Sequence, residues 1–276
     1  MLPTVDLVQA DLHDDATLVR LLQDCSAVIN LVAVLHGSAA QFDRVHVQLP
    51  ARLARACQAA GVRRLLHVSA LGVAPDAPSR YLRSKAQGEA ALAALAAAGA
   101  LDLSILRPSV IFGAHDRFLT LFARLQSLAP VLPLACSDAR FQPVWVEDVA
   151  AALVHCLDAP ATQGQTIECA GPQVYSLSEI ARLAGRWAGC ERPQWALPSW
   201  AGRLQAAAME LLPGEPLMSR DNVDSMRVPN VASVGAAGLA SLGIEPRALE
   251  AVAPGYLGDL FQQPLLDRLR AGAGRS

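Results

Sequence analysis

Apolar and polar positions in the first half of the chain fall into blocks that switch between two rhythms. The runs AVINLVAVL (27–35) and RLLHVSAL (64–71) are almost continuously apolar, as in strands buried on both faces of a parallel sheet. Between them, residues 41–60 carry apolar positions at helical spacing and end at Gly61, a natural C-cap. A second helix over about 81–98 stops at Gly99, and LDLSILRPSVIFG (101–113) is a further strand broken at Pro108. Upstream, VDLVQADL (5–12) reads as a strand ending near Asp11, and ATLVRLLQDC (16–25) as an amphipathic helix. This βαβα order predicts an α/β fold with a doubly wound parallel sheet.

Beyond residue 114 the rhythm loosens. Helical patterns at 116–128 and 147–158 precede a short strand in GQTIECAG (164–171), and Ser176 and Glu179 have capping-box spacing. Further helical pieces are expected at 199–212 and 246–257, and the terminal AGAGRS should fray. In the first piece Trp200, Leu204, Ala208 and Leu211 share one face, which packs on its own domain or meets a partner. Residues 1–140 are expected to form a partial nucleotide-binding domain. Residues 141–276 form a smaller, mostly helical lobe, with the chain crossing between the two.

Composition narrows the function. The 276 residues are 53% apolar and 17% charged with a formal net charge of −2, which argues for a well-filled core and against nucleic acid as a partner. Six scattered cysteines form no CxxC pair, and the neighbours His155 and Cys156 make no metal motif, so free thiols are expected. No apolar run is long enough for a membrane span, and a soluble, cytoplasmic protein is the expectation.

One residue stands out. Lys85 is the single lysine beside 22 arginines, and it lies in SRYLRSKAQGEA (79–90), four residues after Tyr81. With three tyrosines in the chain, only three of 276 positions meet that condition. On a helix, positions i and i+4 share a face, so phenol and ammonium can act together. A tyrosine is a poor base at neutral pH, and a neighbouring cation lowers its pKa towards the usable range. The alternative is a solvated surface pair.

The YxxxK pair, with HVSALG before it, ILRPSVIFG after it and FQPVWVEDVA at 141–150, resembles the extended and atypical short-chain dehydrogenases/reductases. More narrowly, NLVAVL, SRDNVDSMRVPNV and ALEAVAPGYL are similar to the subgroup related to the NAD(P)H-binding accessory subunit of respiratory complex I, whose bacterial members are epimerase- or dehydratase-like. The likeness runs over residues 5–257.

The resemblance implies a Rossmann-type fold binding NAD or NADP, with Tyr81 as general acid/base, Lys85 tuning it and bonding the nicotinamide ribose, and Ser69 as the catalytic hydroxyl. It places Asp11 at the adenine, Leu31, Val32 and Ala33 beneath the adenosine, Pro108, Ser109 and Val110 against the nicotinamide, and Gln142 and Trp145 on the substrate side. Simpler readings stand beside these: Asp11 as a helix cap, Leu31 to Ala33 as core under either reading, and Trp145 as packing.

Two departures complete the picture. Ala70 occupies the position where many family members carry the catalytic hydroxyl, and no strand followed by a glycine-rich turn precedes Asp11. The chain is therefore expected to lack the first two βα units, with about 50 residues upstream. Three functions follow as expectations. The first is hydride transfer on a small or nucleotide-linked carbonyl or alcohol, in an oxidoreductase, epimerase or dehydratase cycle. The second is a non-catalytic accessory or assembly role in a respiratory or quinone-related complex, peripheral to the inner membrane. The third is a truncated form that binds no nucleotide.

Overall fold

The computed structural model describes residues 4–99, 101–211, 214 and 216–261, so the expected fraying of AGAGRS lies outside the described residues. At its centre is an all-parallel sheet of β1 (Ala27–Asn30), β2 (Arg64–Val68), β3 (Asp102–Pro108) and β4 (Thr166–Cys169), side by side in chain order. Parallel neighbours require crossovers, and helices supply them. Helix α1 (Asp15–Leu22) precedes β1, and its N-cap is Asp14, whose carboxylate accepts the N–H groups of Ala16 and Thr17. Helix α2 spans 39–60 and contains a π-helical turn, Arg44–Gln48. It ends at Gly61, whose φ of 76° is the left-handed conformation that a C-cap needs. Helix α3 (Arg80–Ala97) joins β2 to β3.

The period of two along each strand sorts residues between two faces. Leu65, Leu103 and Ile105 pack under α1, α2 and α3 with Leu18, Leu53, Ala54 and Leu92. Leu66 and Leu106 point the other way, onto Val149, Ala152 and Cys156. These three belong to α5 (Val146–Asp158), which follows α4 (Phe118–Leu128). Three layers result, as the sequence predicts. Buried Arg64, at the start of β2, is satisfied by the carbonyls of Cys156 and Asp102 and the hydroxyls of Ser104 and Thr162. Cys156 lies in the last turn of α5, where the exposed carbonyls favour a cation.

A second apolar cluster gathers α4, α6 (Leu177–Trp187) and α9 (Leu249–Phe261) around Phe112, Phe122, Phe141 and Ile180. The capping box forms as expected, with the Ser176 hydroxyl and the Glu179 carboxylate each taking the other's backbone N–H. Two further helices, α7 (Ser199–Glu210) and α8 (Arg220–Ser225), complete the smaller lobe.

Three expectations need correction. Residues 5–12 form no strand, and Leu7 is 82% exposed. A strand is held by its ladder, and among the described residues none lies beside this segment. The apolar run 27–35 is a strand only to Asn30. Leu31, Val32 and Ala33 extend past the sheet and are exposed, Leu31 at 63%, so they are not core. The apolar face of α7 does not pack inward either, for Trp200, Leu204 and Leu211 are 72%, 65% and 87% exposed.

Candidate functional site

The carboxyl end of β2 meets the first turns of α3, and the lysine lies there. Ser79 caps α3 by accepting the N–H of Leu82, while Asp221 of α8 accepts those of Arg80 (2.7 Å) and Tyr81 (3.0 Å). The otherwise orphaned donors of this helix end are thus filled, one pair from another lobe. Helical spacing then carries Lys85 inward, where it is 1% exposed and its ammonium donates to the Val68 carbonyl at 2.7 Å. Burial lowers its pKa to about 8, against the opposing pull of Glu89. Lys85 is no solvated surface residue.

The Tyr81 ring meets His46 edge-on at 5.5 Å and Phe42 at 6.3 Å, and packs near Ala70 and Val228. Burial alone pushes its phenol up to about 12. The expectation that the ammonium lowers it is not met in this geometry, in which that ammonium bonds the Val68 carbonyl. Ser69 donates its N–H to Leu106, and its buried hydroxyl has no hydrogen-bond partner among the described residues. A buried orphan hydroxyl costs free energy unless something is to meet it.

The remaining predicted residues divide. Pro108 ends β3, and Ser109 and Val110 are held by the Asn230 side chain, which accepts from the Ser109 hydroxyl at 2.6 Å and the Val110 N–H at 2.9 Å. Asp11 is exposed, accepts the N–H of His13, and caps no helix, that role falling to Asp14. Gln142 spends its amide on the backbone, donating to Gly171 and accepting from Ala232. Trp145 packs against the lobe core under the Arg247 guanidinium, 4.7 Å from its ring centre. Both are held by internal contacts while remaining partly exposed.

Sequence reasoning passed over four residues: His46, His67, Asp221 and Asn230. Only weak signals could have flagged them. A histidine interrupts the buried strand RLLHV, and Asp221 and Asn230 lie inside the quoted stretch SRDNVDSMRVPNV. Gly88 on α3 has no side chain for a stricter reason, since a Cβ there would lie 1.9 Å from the His46 carbonyl oxygen. Gly88→Ala is expected to push α3 off the π-helical turn and cost roughly 1–3 kcal/mol in denaturant unfolding. An unchanged stability would show that the two helices do not touch there.

Residues 1–170 match the model of the NAD dependent epimerase/dehydratase family. The chain belongs to that family. It is 32% identical over 247 residues to "NADH dehydrogenase [ubiquinone] 1 alpha subcomplex subunit 9, mitochondrial" of Mus musculus, covering 87% of this chain and 63% of the relative. It is 31% identical over 206 residues to the ceramide reductase of Caulobacter vibrioides, covering 74% of this chain and 63% of that one. The chain thus spans just under two thirds of the length of each of these relatives. Among solved structures, MoeE5 in complex with UDP-glucose and NAD has a TM-score of 0.71 at 20% identity, over 96% of this chain and 89% of that one, which shows a shared fold.

The family is described as NAD dependent, and the site fits one half of such a cofactor. The orphan Ser69 hydroxyl and the buried Lys85 ammonium suit a nicotinamide and its ribose. A glycine-rich turn following a strand, the usual pyrophosphate cradle, does not occur among the described residues. Among the described residues no helix is long and apolar enough to cross a membrane.

Proposed function

We propose that this protein works as an NAD(P)-dependent oxidoreductase or epimerase/dehydratase acting on a carbonyl or alcohol. The observation that carries the reading is a fully buried lysine held one helical turn from a tyrosine, beside an orphan hydroxyl. A nicotinamide, when bound, supplies or accepts the hydride. Tyr81 gives or takes the proton at the substrate oxygen, the Ser69 hydroxyl donates to that oxygen, and Lys85 brings the cation that makes the phenol usable. The phenol, pushed up to about 12, gains that help once the ammonium turns from Val68 towards a ribose and the ring.

The substrate is nucleotide-linked in this reading. An open cleft of about 440 Å³ is lined by Ser137, Arg140, Met226, Arg227 and Pro229, next to the Val228 that packs near Tyr81. Its two guanidiniums suit a diphosphate, although Asp138 shares the lining and Arg227 lies 4.0 Å from the Asp224 carboxylate. Titration with NADH and NADPH, read by nucleotide fluorescence, should give saturable binding that weakens at least tenfold in Lys85→Ala. Equal binding by both proteins would sink the assignment of Lys85 to the ribose.

A second reading has its own observation. The uncovered face of Trp200, Leu204, Ala208 and Leu211 suits an accessory subunit seated on a respiratory complex at the membrane periphery, and the Mus musculus relative is by name a subunit of a mitochondrial NADH dehydrogenase. Leu204→Asp should leave thermal unfolding unchanged and abolish co-sedimentation with inner membranes. If the native protein never sediments with them, this reading falls.

A further inference from the structure

His46 is buried, neutral and unused by the proton transfer just described, yet it touches both sides of the site. The π-helical turn Arg44–Gln48 carries it, and such turns often mark functional positions. Its Nε2 accepts the Val34 N–H at 3.1 Å, and its Nδ1 lies 2.8 Å from the Ser84 hydroxyl, which lies 2.8 Å from the Tyr81 carbonyl. The end groups fix every proton between them. A backbone N–H can only donate, so Nε2 is bare and Nδ1 carries the hydrogen. A carbonyl can only accept, so Ser84 takes that hydrogen and gives its own to Tyr81. No other arrangement satisfies all four groups. The Tyr81 ring meets the same imidazole edge-on, and the Gly88 contact locks α3 against the His46 backbone.

We propose that His46 is a positioning residue of the Tyr81 site, joining the exposed segment of Leu31, Val32 and Ala33 to the helix that carries Tyr81 and fixing the orientation of the phenol. The inference rests on the functional reading only in taking Tyr81 as the acid/base. A ligand lying on residues 31–33 and moving Val34 would be felt at Tyr81 through one imidazole and one hydroxyl. Burial and the Lys85 cation both oppose a second proton on the ring, which holds its pKa near 4 and keeps Nε2 an acceptor at neutral pH.

The test needs no substrate. Long-range ¹H–¹⁵N correlation should show His46 protonated at Nδ1, and the Nε2-protonated form would overturn the proposal. With ¹³C-labelled tyrosine, the Tyr81 ring signal is identified by its loss in Tyr81→Phe. That signal should shift in Ser84→Ala and in His46→Phe. It should return close to its original position in His46→Gln, which offers one acceptor and one donor. If Ser84→Ala leaves the Tyr81 signal unmoved, the proposal is wrong even where His46→Phe fails to fold. Added NADH and NADPH decide a separate matter: no response of Tyr81 in the wild-type protein counts against nucleotide binding, while the tautomer and the Ser84→Ala shift still decide the role of His46.

Discussion

Lys85→Met gives a protein more stable than the original at pH 7 and at least ~10²-fold slower in turnover, read by nicotinamide absorbance with an identified substrate. The two effects have one cause. The ammonium is 1% exposed, and the fall of its pKa from 10.5 to about 8 corresponds to about 3 kcal/mol against the charged form in the folded state. Methionine keeps the length and removes the charge, though it forfeits the bond to Val68, so the net gain is smaller than that figure. The pH dependence isolates the origin. Between about pH 8 and 10 the unfolded chain holds a proton at Lys85 that the folded protein lacks, so the contribution of this group rises with pH, while the Cys57 and Cys169 thiols, pushed up by burial to about 11 and about 12, act the other way. The stability advantage of the methionine variant should therefore shrink as the pH rises through that window. Lys85→Arg is the poorer test, because a larger head overfills a site with no spare room. An advantage that stays constant over that window would mean that Lys85 is not a buried charge.

Much of this site was legible because lysine is rare in the chain and a helix has a fixed period. Tyr81 and Lys85 needed only i, i+4 geometry, and the helix stops at Gly61 and Gly99 followed from the left-handed conformation that glycine accepts. Strands β2 and β3 were readable as apolar runs because both faces of the sheet are covered there, whereas β1 leaves Ile29 exposed. The same logic failed at residues 5–12 and 31–33. Apolar residues predict burial only where a neighbour is present to cover them, and a pattern does not say which neighbour. The surroundings of Gln142 and Trp145 were not legible either. The resemblance places them near a substrate, but their partners, Gly171, Ala232 and Arg247, are 29 to 102 positions away and unreadable locally. His46 was missed because its partners Val34 and Ser84 lie on two other segments, 12 and 38 residues off. Its neutral, buried state arises only when three segments meet.

Acid should unfold the protein from about pH 6.5 downwards, well before most carboxylates titrate. His46 and His67 are both buried on the α2/α3 face of the sheet and both used as acceptors, His46 at Nε2 and His67 at the Nδ1 that faces the Asn30 amide at 3.1 Å. Burial is the first cause of their lowered values, about 4 and about 3, and the Lys85 cation adds to each. The sign follows directly. Between 6.5 and those values the unfolded chain binds protons that the folded protein refuses, so stability falls as pH falls. Falls from 6.5 to about 4 and to about 3 correspond to about 3 and about 5 kcal/mol, against a typical total of about 5–15 kcal/mol. The two charges would also repel each other and Lys85, so the second proton enters only on unfolding. Asp14 and Asp102, held below 3.8 mainly by the Thr17 hydroxyl and Arg63, contribute lower on the scale. Denaturant midpoints between pH 7 and 4 should therefore drop steeply in the wild-type protein. The drop should largely vanish in the double variant His46→Gln, His67→Gln, which keeps an acceptor at each site without a titrating group. An equal drop in both proteins would assign the acid response to the carboxylates instead.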